Sequence, residues 1–266
     1  MTSRLARLTA MVFGGGHVGD GPHRVRGIGF TCAATFAREG ANVVVVDRDG
    51  DAAERASEAI TEAGGRSIPV VADMLVEDQV VAAVKVAVAT FERIDIVQNN
   101  IGQTLLGGPL DISLDEWRRT VAVNLDTVFL GAKATLPHLL ATKGSMINIS
   151  SVASIRWTGF CYPAYAAAKA AVNQLTQSMA LQYAETGVRI NAILAGLIDT
   201  PLVYRELSEG HDIESVRADR AAKSPTHAMG SAQDVANAAV FLASAESAYI
   251  TGTMLPVDGG LHARVI

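Results

Sequence analysis

Seven short apolar runs rich in β-branched residues, at 8–13, 42–47, 67–71, 94–98, 145–149, 189–194 and 254–257, alternate with Ala-rich helical stretches at 27–39, 51–63, 77–91, 113–138, 164–184 and 232–243. That alternation leaves few folds open. Strands separated by a helix run parallel through right-handed crossovers, and the helices then cover both faces of one sheet. The expected fold is therefore α/β: a single domain over residues 1–266 built as a doubly wound, seven-stranded parallel sheet. Aromatic residues make up only 5% of a chain that is 49% hydrophobic, so small aliphatic side chains must fill the core, which suits fully buried strands under close helices. Ser113 and Glu116 have capping-box spacing, and Gly40, Gly64 and Gly65 lie where helices should stop. No internal repeat or Pro/Ser-rich linker divides the chain. The stretch 196–230 shows no clear periodicity and reads as a lid over a substrate site.

The charge balance of 22 basic against 27 acidic residues, net −5, offers no broad attraction to nucleic acid or to an anionic membrane. Cys32 and Cys161 are too few for a disulfide framework, which points to a reducing cytoplasm. The histidines at 17, 23, 138, 211, 227 and 262 are scattered without ligand spacing, so no catalytic metal is expected. The opening MTSRLARLTAMVF begins basic, but its apolar run is too short for a secretory or membrane-spanning segment and reads as the first strand.

In an open α/β sheet ligands bind beyond the carboxyl ends of the strands, beside the first one. There Gly14, Gly15 and Gly16 follow the first strand, and Gly27-Ile28-Gly29 opens the first helix, whose exposed N–H groups can hold a pyrophosphate. Asp47 ends the second strand 18 residues after Gly29, close to the roughly 20 expected of an acid that binds an adenosine ribose. A carboxylate there repels a 2′-phosphate, so NAD is the expected cofactor. Arg48 beside it could pair with that phosphate and keeps NADP open as the less favoured alternative.

Further along come Asp73-Met74, Asn99-Asn100-Ile101-Gly102, Asn124 within Val-Asn-Leu, Ser150-Ser151, Tyr165-Ala-Ala-Ala-Lys169, Gly196-Leu197-Ile198-Asp199-Thr200 and Asp258-Gly259-Gly260. In this order they resemble the short-chain dehydrogenase/reductase family over the whole chain. The resemblance implies a Rossmann-like fold and a nicotinamide-linked oxidoreductase acting on CH–OH groups, with Asn124, Ser151, Tyr165 and Lys169 catalytic. It places Gly14, Gly16, Gly27, Ile28, Gly29, Asp47 and Arg48 at the cofactor, with Asp73 and Met74 beside the adenine. Asn99, Asn100 and Gly102 follow the fourth strand, and Gly196, Ile198 and Thr200 meet the nicotinamide amide and phosphates. Tyr165 and Lys169 would also hold the nicotinamide ribose. A homodimer or homotetramer, joined through the helices at 113–138 and 164–184, is implied as well.

Several positions depart from the family pattern. The glycine turn carries an insert at 17–26, in which His17, His23, Arg24 and Arg26 either reach the cofactor phosphates or belong to a solvated excursion. Phe13 and Ala195 replace the usual Thr and Pro. Ser151 precedes Tyr165 by 14 residues, one more than is common, and is chosen over Ser150.

Tyr165 and Lys169, at i and i+4, project from one helix face. A free phenol titrates near ~10, and an adjacent ammonium favours the phenolate by about 1.36 kcal/mol per unit lowered. The phenol can then exchange a proton with an alcohol or carbonyl as hydride crosses. Ser151 would hold the same oxygen, and Asn124 would support a water relay. Tyr162 has Ala166 where a lysine would be needed and reads as a pocket wall. Ile155, Trp157, Phe160, Leu197, Leu202 and Tyr204 suggest an apolar or cyclic secondary alcohol, or its ketone, as substrate. Arg156 reads either as a carboxylate contact or as a solvated loop charge. Two rival functions stand beside the NAD-dependent alcohol dehydrogenase: an NADPH-dependent carbonyl reductase of the 3-oxoacyl type, and a non-catalytic dinucleotide-binding regulator.

Overall fold

The structure is a computed structural model that describes residues 3–21, 24–207 and 212–264. Its strands are β1 (Thr9–Phe13), β2 (Asn42–Asp47), β3 (Arg66–Val71), β4 (Ile96–Asn99), β5 (Ser145–Ser151), β6 (Arg189–Ala195), β7 (Ile198–Asp199), β8 (Gly230–Ser231) and β9 (Met254–Val257). Its α-helices are α1 (Ile28–Arg38), α2 (Gly50–Glu62), α3 (Glu77–Phe91), α4 (Leu114–Val121), α5 (Thr127–Thr142), α6 (Pro163–Tyr183), α7 (Pro201–Leu207), α8 (Ile213–Lys223) and α9 (Ala232–Ala243). Seven strands form one parallel sheet in the order β3-β2-β1-β4-β5-β6-β9. The fold is thus the doubly wound, Rossmann-like one that the alternation demands. Phe13 is in register with Val46 on one side and Asn99 on the other, so the carboxyl ends of β2, β1 and β4 finish together at the switch point.

Strand alternation sorts the core into two layers. Ala10, Val12, Val43, Val45 and Ile147 pack under α1 and α9 with Phe36 and Val240. Met11, Phe13, Val44, Val46 and Met146 face the opposite layer with Phe91 and Leu139. No described helix is long and apolar enough to cross a membrane.

Helix ends follow local chemistry. The Asp49 side chain caps α2, while the Ser113–Glu116 and Ser231–Asp234 capping boxes start α4 and α9. Gly40 (φ +91°) and Gly64 (φ +84°) take the left-handed conformation just past α1 and α2. No side chain caps α1, whose N-cap is Gly27.

Two expectations need correction. The single helix expected over 113–138 is divided by one π turn at Ala122–Asp126, and its last part runs on to Thr142 with Pro137 inside it. The stretch 196–230 also contains regular structure: the short β7–β8 ladder, α7 and α8. These helices leave little periodic signal because they are short and polar. They start instead on local devices: Pro201 at the first position of α7, and the Asp212 carboxylate accepting from the Ser215 N–H at α8.

Candidate active site

The carboxyl ends of the strands open into a cleft of about 750 Å³. On one side, the Gly14 N–H donates to the Val46 carbonyl at 2.8 Å, with Gly14 at φ +74°. Gly29 lies hard against this turn: a Cβ there would come within 2.0 Å of the Gly14 oxygen and 2.5 Å of Asn100 Nδ2. Asn100 Nδ2 in turn donates to the Gly14 carbonyl at 3.0 Å, tying the end of β4 to the turn. The uncapped N–H groups of α1 begin at this point, where an anion can take the place of a side-chain cap. Asp47 accepts from the Gly16 N–H (3.1 Å) and the Asp49 N–H (3.2 Å), which fixes its carboxylate at the rim. Arg48 lines the same rim, as do Asp73 and Met74 across from it.

The described basic side chains of the insert do not line this wall. His17 stacks on Phe30 at 4.3 Å, and Arg26 donates to Asp20 at 3.0 Å. Among its described residues, Val18 lines the cleft, and His17, Arg24 and Arg26 do not. His23 lies outside the described residues.

The other wall carries the reactive side chains. Lys169 is 2% exposed; its Nζ donates to the Ile149 carbonyl at 3.0 Å and the Ile101 carbonyl at 3.4 Å. It has no carboxylate partner among the described residues, and burial pushes its pKa down to about 8. The Nζ lies 5.8 Å from the centroid of the Tyr165 ring. Tyr162 meets that ring edge-on at 5.4 Å, and its own hydroxyl is paired with Thr158, so it is a wall residue. Ser150 turns its Oγ to the Lys169 carbonyl (3.2 Å), whereas Ser151 Oγ accepts from the Ala153 N–H (3.1 Å) at the end of β5. Gly196, Ile198 and Thr200 line the cleft beyond β6; a Cβ on Gly196 would meet the Asp258 Cα at 2.6 Å.

Two named residues do not line the cleft. Asn124 sits in the π turn, fully buried. It donates through Nδ2 to the Thr120 (2.8 Å) and Gln103 (2.9 Å) carbonyls and accepts from the Gln103 N–H at 3.3 Å. It backs Gly102, whose Cβ position would lie 3.1 Å from Asn124 Oδ1 and 3.2 Å from Lys169 Nζ. Asn99 departs from the expectation more clearly. Successive strand residues point to opposite faces, so with Asn100 in the cleft the Asn99 side chain turns inward, where Nδ2 donates to Asn148 at 2.7 Å.

The expected substrate residues also divide. Tyr162, Leu197 and Leu202 line the cleft. Ile155 and Trp157 are exposed outside it, and Arg156 donates to the His262 carbonyl at 2.7 Å on the surface, so it is not a cleft cation. Tyr204 is buried with its hydroxyl on Asp199, and burial together with that carboxylate pushes its phenol up to about 12. Sequence reasoning missed two cleft guanidinium groups, Arg205 on α7 and Arg220 on α8, of which Arg220 is buried near Tyr162. Nothing in the local pattern of Arg220 marks it, because its place depends on a contact distant in sequence, with Phe160.

Fold and cleft together define a dinucleotide-binding α/β oxidoreductase scaffold. Residues 21–262 match the family model described as Enoyl-(Acyl carrier protein) reductase. The chain is 39% identical over 240 residues to 3beta-hydroxysteroid dehydrogenase 1 of Eggerthella lenta, covering 89% of this chain and 90% of that one. It is 36% identical over 240 residues to glucose 1-dehydrogenase 2 of Bacillus subtilis, covering 89% and 91%. A solved short-chain dehydrogenase/reductase structure from Burkholderia xenovorans superimposes with a TM-score of 0.93 at 39% identity, covering 99% of each chain. The chain belongs to the short-chain dehydrogenase/reductase family, whose dehydrogenases use nicotinamide cofactors.

Proposed function

We propose that this chain transfers a hydride between NAD(H) and a secondary alcohol or ketone with an apolar body. The observation that carries the reading is the Tyr165–Lys169 pair, with the lysine buried and the phenol at the wall of the cleft. The glycine turn and the open α1 N-terminus fit the pyrophosphate of a dinucleotide, and the absence of a side chain at Gly29 lets α1 pack directly against that turn. Asp47 would accept from the adenosine ribose hydroxyls, which favours NAD over NADP, and Lys169 would donate to the second ribose.

When bound, the nicotinamide supplies the hydride acceptor or donor. Tyr165 takes the alcohol proton at its phenolic oxygen, or returns one to a carbonyl, and the Lys169 cation stabilises the phenolate. Ser151 donates to the same substrate oxygen. Asn124 acts one layer back: it holds 102–103 in place and so fixes the space in front of Lys169.

We further propose a cytoplasmic protein with one domain, in keeping with the free Cys32 and Cys161, and a homodimer or homotetramer. Exposed Trp117, Phe129, Leu140 and Leu181 on α4, α5 and α6 support a face for a second copy.

The test is a panel of secondary alcohols with NAD, followed by reduced-nicotinamide absorbance, run on wild type and Tyr165→Phe. The variant should keep its fold and its NADH affinity and lose about 10²–10⁴ of kcat. Undiminished turnover in Tyr165→Phe would refute the assignment. Arg48 at the rim supports the NADP reading, and a kcat/KM preference for NADPH over NADH would establish that reading instead.

A further inference from the structure

Arg220 is 7% exposed, and its Nε has no hydrogen-bond partner. The guanidinium forms no ion pair among the described residues. Asp199, the carboxylate that acts on it through space, already accepts from the Tyr204 hydroxyl and pairs with Arg217 Nε at 3.3 Å. A guanidinium presents five donors in a planar fork; the Arg220 Nε is sealed from solvent, so an anion entering the cleft that Arg220 lines would meet the terminal N–H groups. Burial lowers its pKa from the ordinary arginine value, which lies so far above neutrality that a guanidinium stays charged.

Its place within the cleft says what that anion would belong to. The guanidinium carbon lies 5.6 Å over the Phe160 ring, Phe160 stacks on Tyr162 at 5.9 Å, and Tyr162 meets Tyr165 edge-on at 5.4 Å. Arg220 is therefore joined to the phenol through one aromatic row, in which Tyr162 and Tyr165 line the cleft and Phe160, also covered by Lys223 Nζ at 4.2 Å, lies outside its lining. The glycine turn, the place for dinucleotide phosphates, contributes none of these contacts.

We propose that the substrate is a hydroxy acid, or the corresponding oxo acid: its carboxylate docks on Arg220 and its apolar stem lies along Tyr162 and Leu202, with the carbinol carbon at Tyr165. This rests on the hydride-transfer reading above and adds the anionic end to it. Bidentate pairing of a carboxylate with a guanidinium is directional as well as strong, so it would set both affinity and the face presented to the cofactor. The reaction that supplies such a substrate must leave a free carboxylate on an otherwise apolar molecule.

The experiment compares 3-hydroxybutyrate, 4-hydroxypentanoate and 3-hydroxycyclohexanecarboxylate with their methyl esters. Wild type, Arg220→Met and Arg220→Lys are assayed with NAD, and NADH affinity is read separately by fluorescence. In wild type the best-spaced acid should exceed its ester in kcat/KM by about 100-fold. Arg220→Met should abolish that preference while NADH affinity stays within about threefold of wild type, and Arg220→Lys should restore part of it. Esters equal to acids in wild type, an unchanged ratio in Arg220→Met, or a parallel loss of NADH affinity would each overturn the proposal. If Arg220→Met fails to fold, the wild-type ratio and Arg220→Lys still decide.

Thermal unfolding of the NADH-bound protein with each oxo acid and its ester separates this proposal from the reading beneath it. An acid-specific rise in Tm that Arg220→Lys reduces, without turnover of any alcohol, would uphold the anion site and sink hydride transfer. Turnover of neutral alcohols with no acid-specific rise would do the reverse.

Discussion

Gly29→Ala is the sharpest perturbation of the cofactor side. The added methyl would lie 2.0 Å from the Gly14 carbonyl oxygen and 3.0 Å from its carbon, both backbone atoms that no rotamer change can move. Relief requires α1 and the glycine turn to separate by more than about 1 Å, given ordinary carbon–oxygen contacts of roughly 3.3 Å or more. That shift also stretches the Asn100–Gly14 hydrogen bond of 3.0 Å. Overpacking of this kind costs about 1–3 kcal/mol and the lost bond about 1 kcal/mol more, against a helix-propensity gain of about 1 kcal/mol for alanine. A net destabilisation of about 1–3 kcal/mol is expected in urea unfolding. NADH affinity should fall by about 100-fold, because a dinucleotide needs close approach to the displaced backbone. Gly27→Ala separates stability from binding: no protein atom lies within 4 Å of its Cβ position, and its φ of −68° and ψ of 151° suit any residue, so it should destabilise by no more than about 1 kcal/mol. NADH affinity equal to wild type in Gly29→Ala would refute the cradle.

Lys169 yields a prediction with a definite sign. Its folded-state pKa of about 8 lies below the ordinary 10.5, so between these values the unfolded chain holds the extra proton and the group's contribution to stability rises with pH. Urea melts of wild type relative to Lys169→Met should show that rise, approaching about 3–4 kcal/mol at most, and a flat difference would argue against a buried amine. Asn124→Ala removes three hydrogen bonds to 103 and Thr120 and should cost about 2–3 kcal/mol in stability while lowering turnover; a neutral variant would show that the π turn does not depend on it. Asp47→Ser should reduce the ratio of kcat/KM for NADH over NADPH by about tenfold or more, and an unchanged ratio would remove Asp47 from cofactor choice.

Features fixed by neighbours in the chain were legible in the sequence. The β-branched runs give the strands, the capping box at Ser113 gives a helix start, and Gly14 and Gly29 lie on either side of one turn because strand and helix meet there. Features fixed by distant partners were not. Asn99 and Asn100 look equivalent until strand parity sends one to Asn148 and the other to Gly14. Arg156 and Arg220 look equally plain in the chain. The first ends on the His262 carbonyl and the second under Phe160, because the C-terminal turn and α8 pack where they do. The π turn at Asn124 leaves no periodic trace, since one added residue per turn barely alters the helical pattern.

The cleft is also electrostatically divided in a way that total charge conceals. Asp47, Asp49 and Asp73 line the end beyond β2 and β3, where carboxylates suit hydroxyl groups. The Tyr165 end instead holds two buried cations, Lys169 and Arg220, each with its pKa lowered by burial and neither paired with a carboxylate among the described residues. In a chain with 27 acidic against 22 basic residues this shortage is local. An unpaired buried charge destabilises a fold, so the cost falls on the part of the cleft where an anion can bind and relieve it. On the proposed function, the phenolate that forms on Tyr165 offsets Lys169 during the reaction, and a substrate carboxylate offsets Arg220 beforehand. The two cations would therefore be neutralised at different times: Arg220 by binding and Lys169 by chemistry.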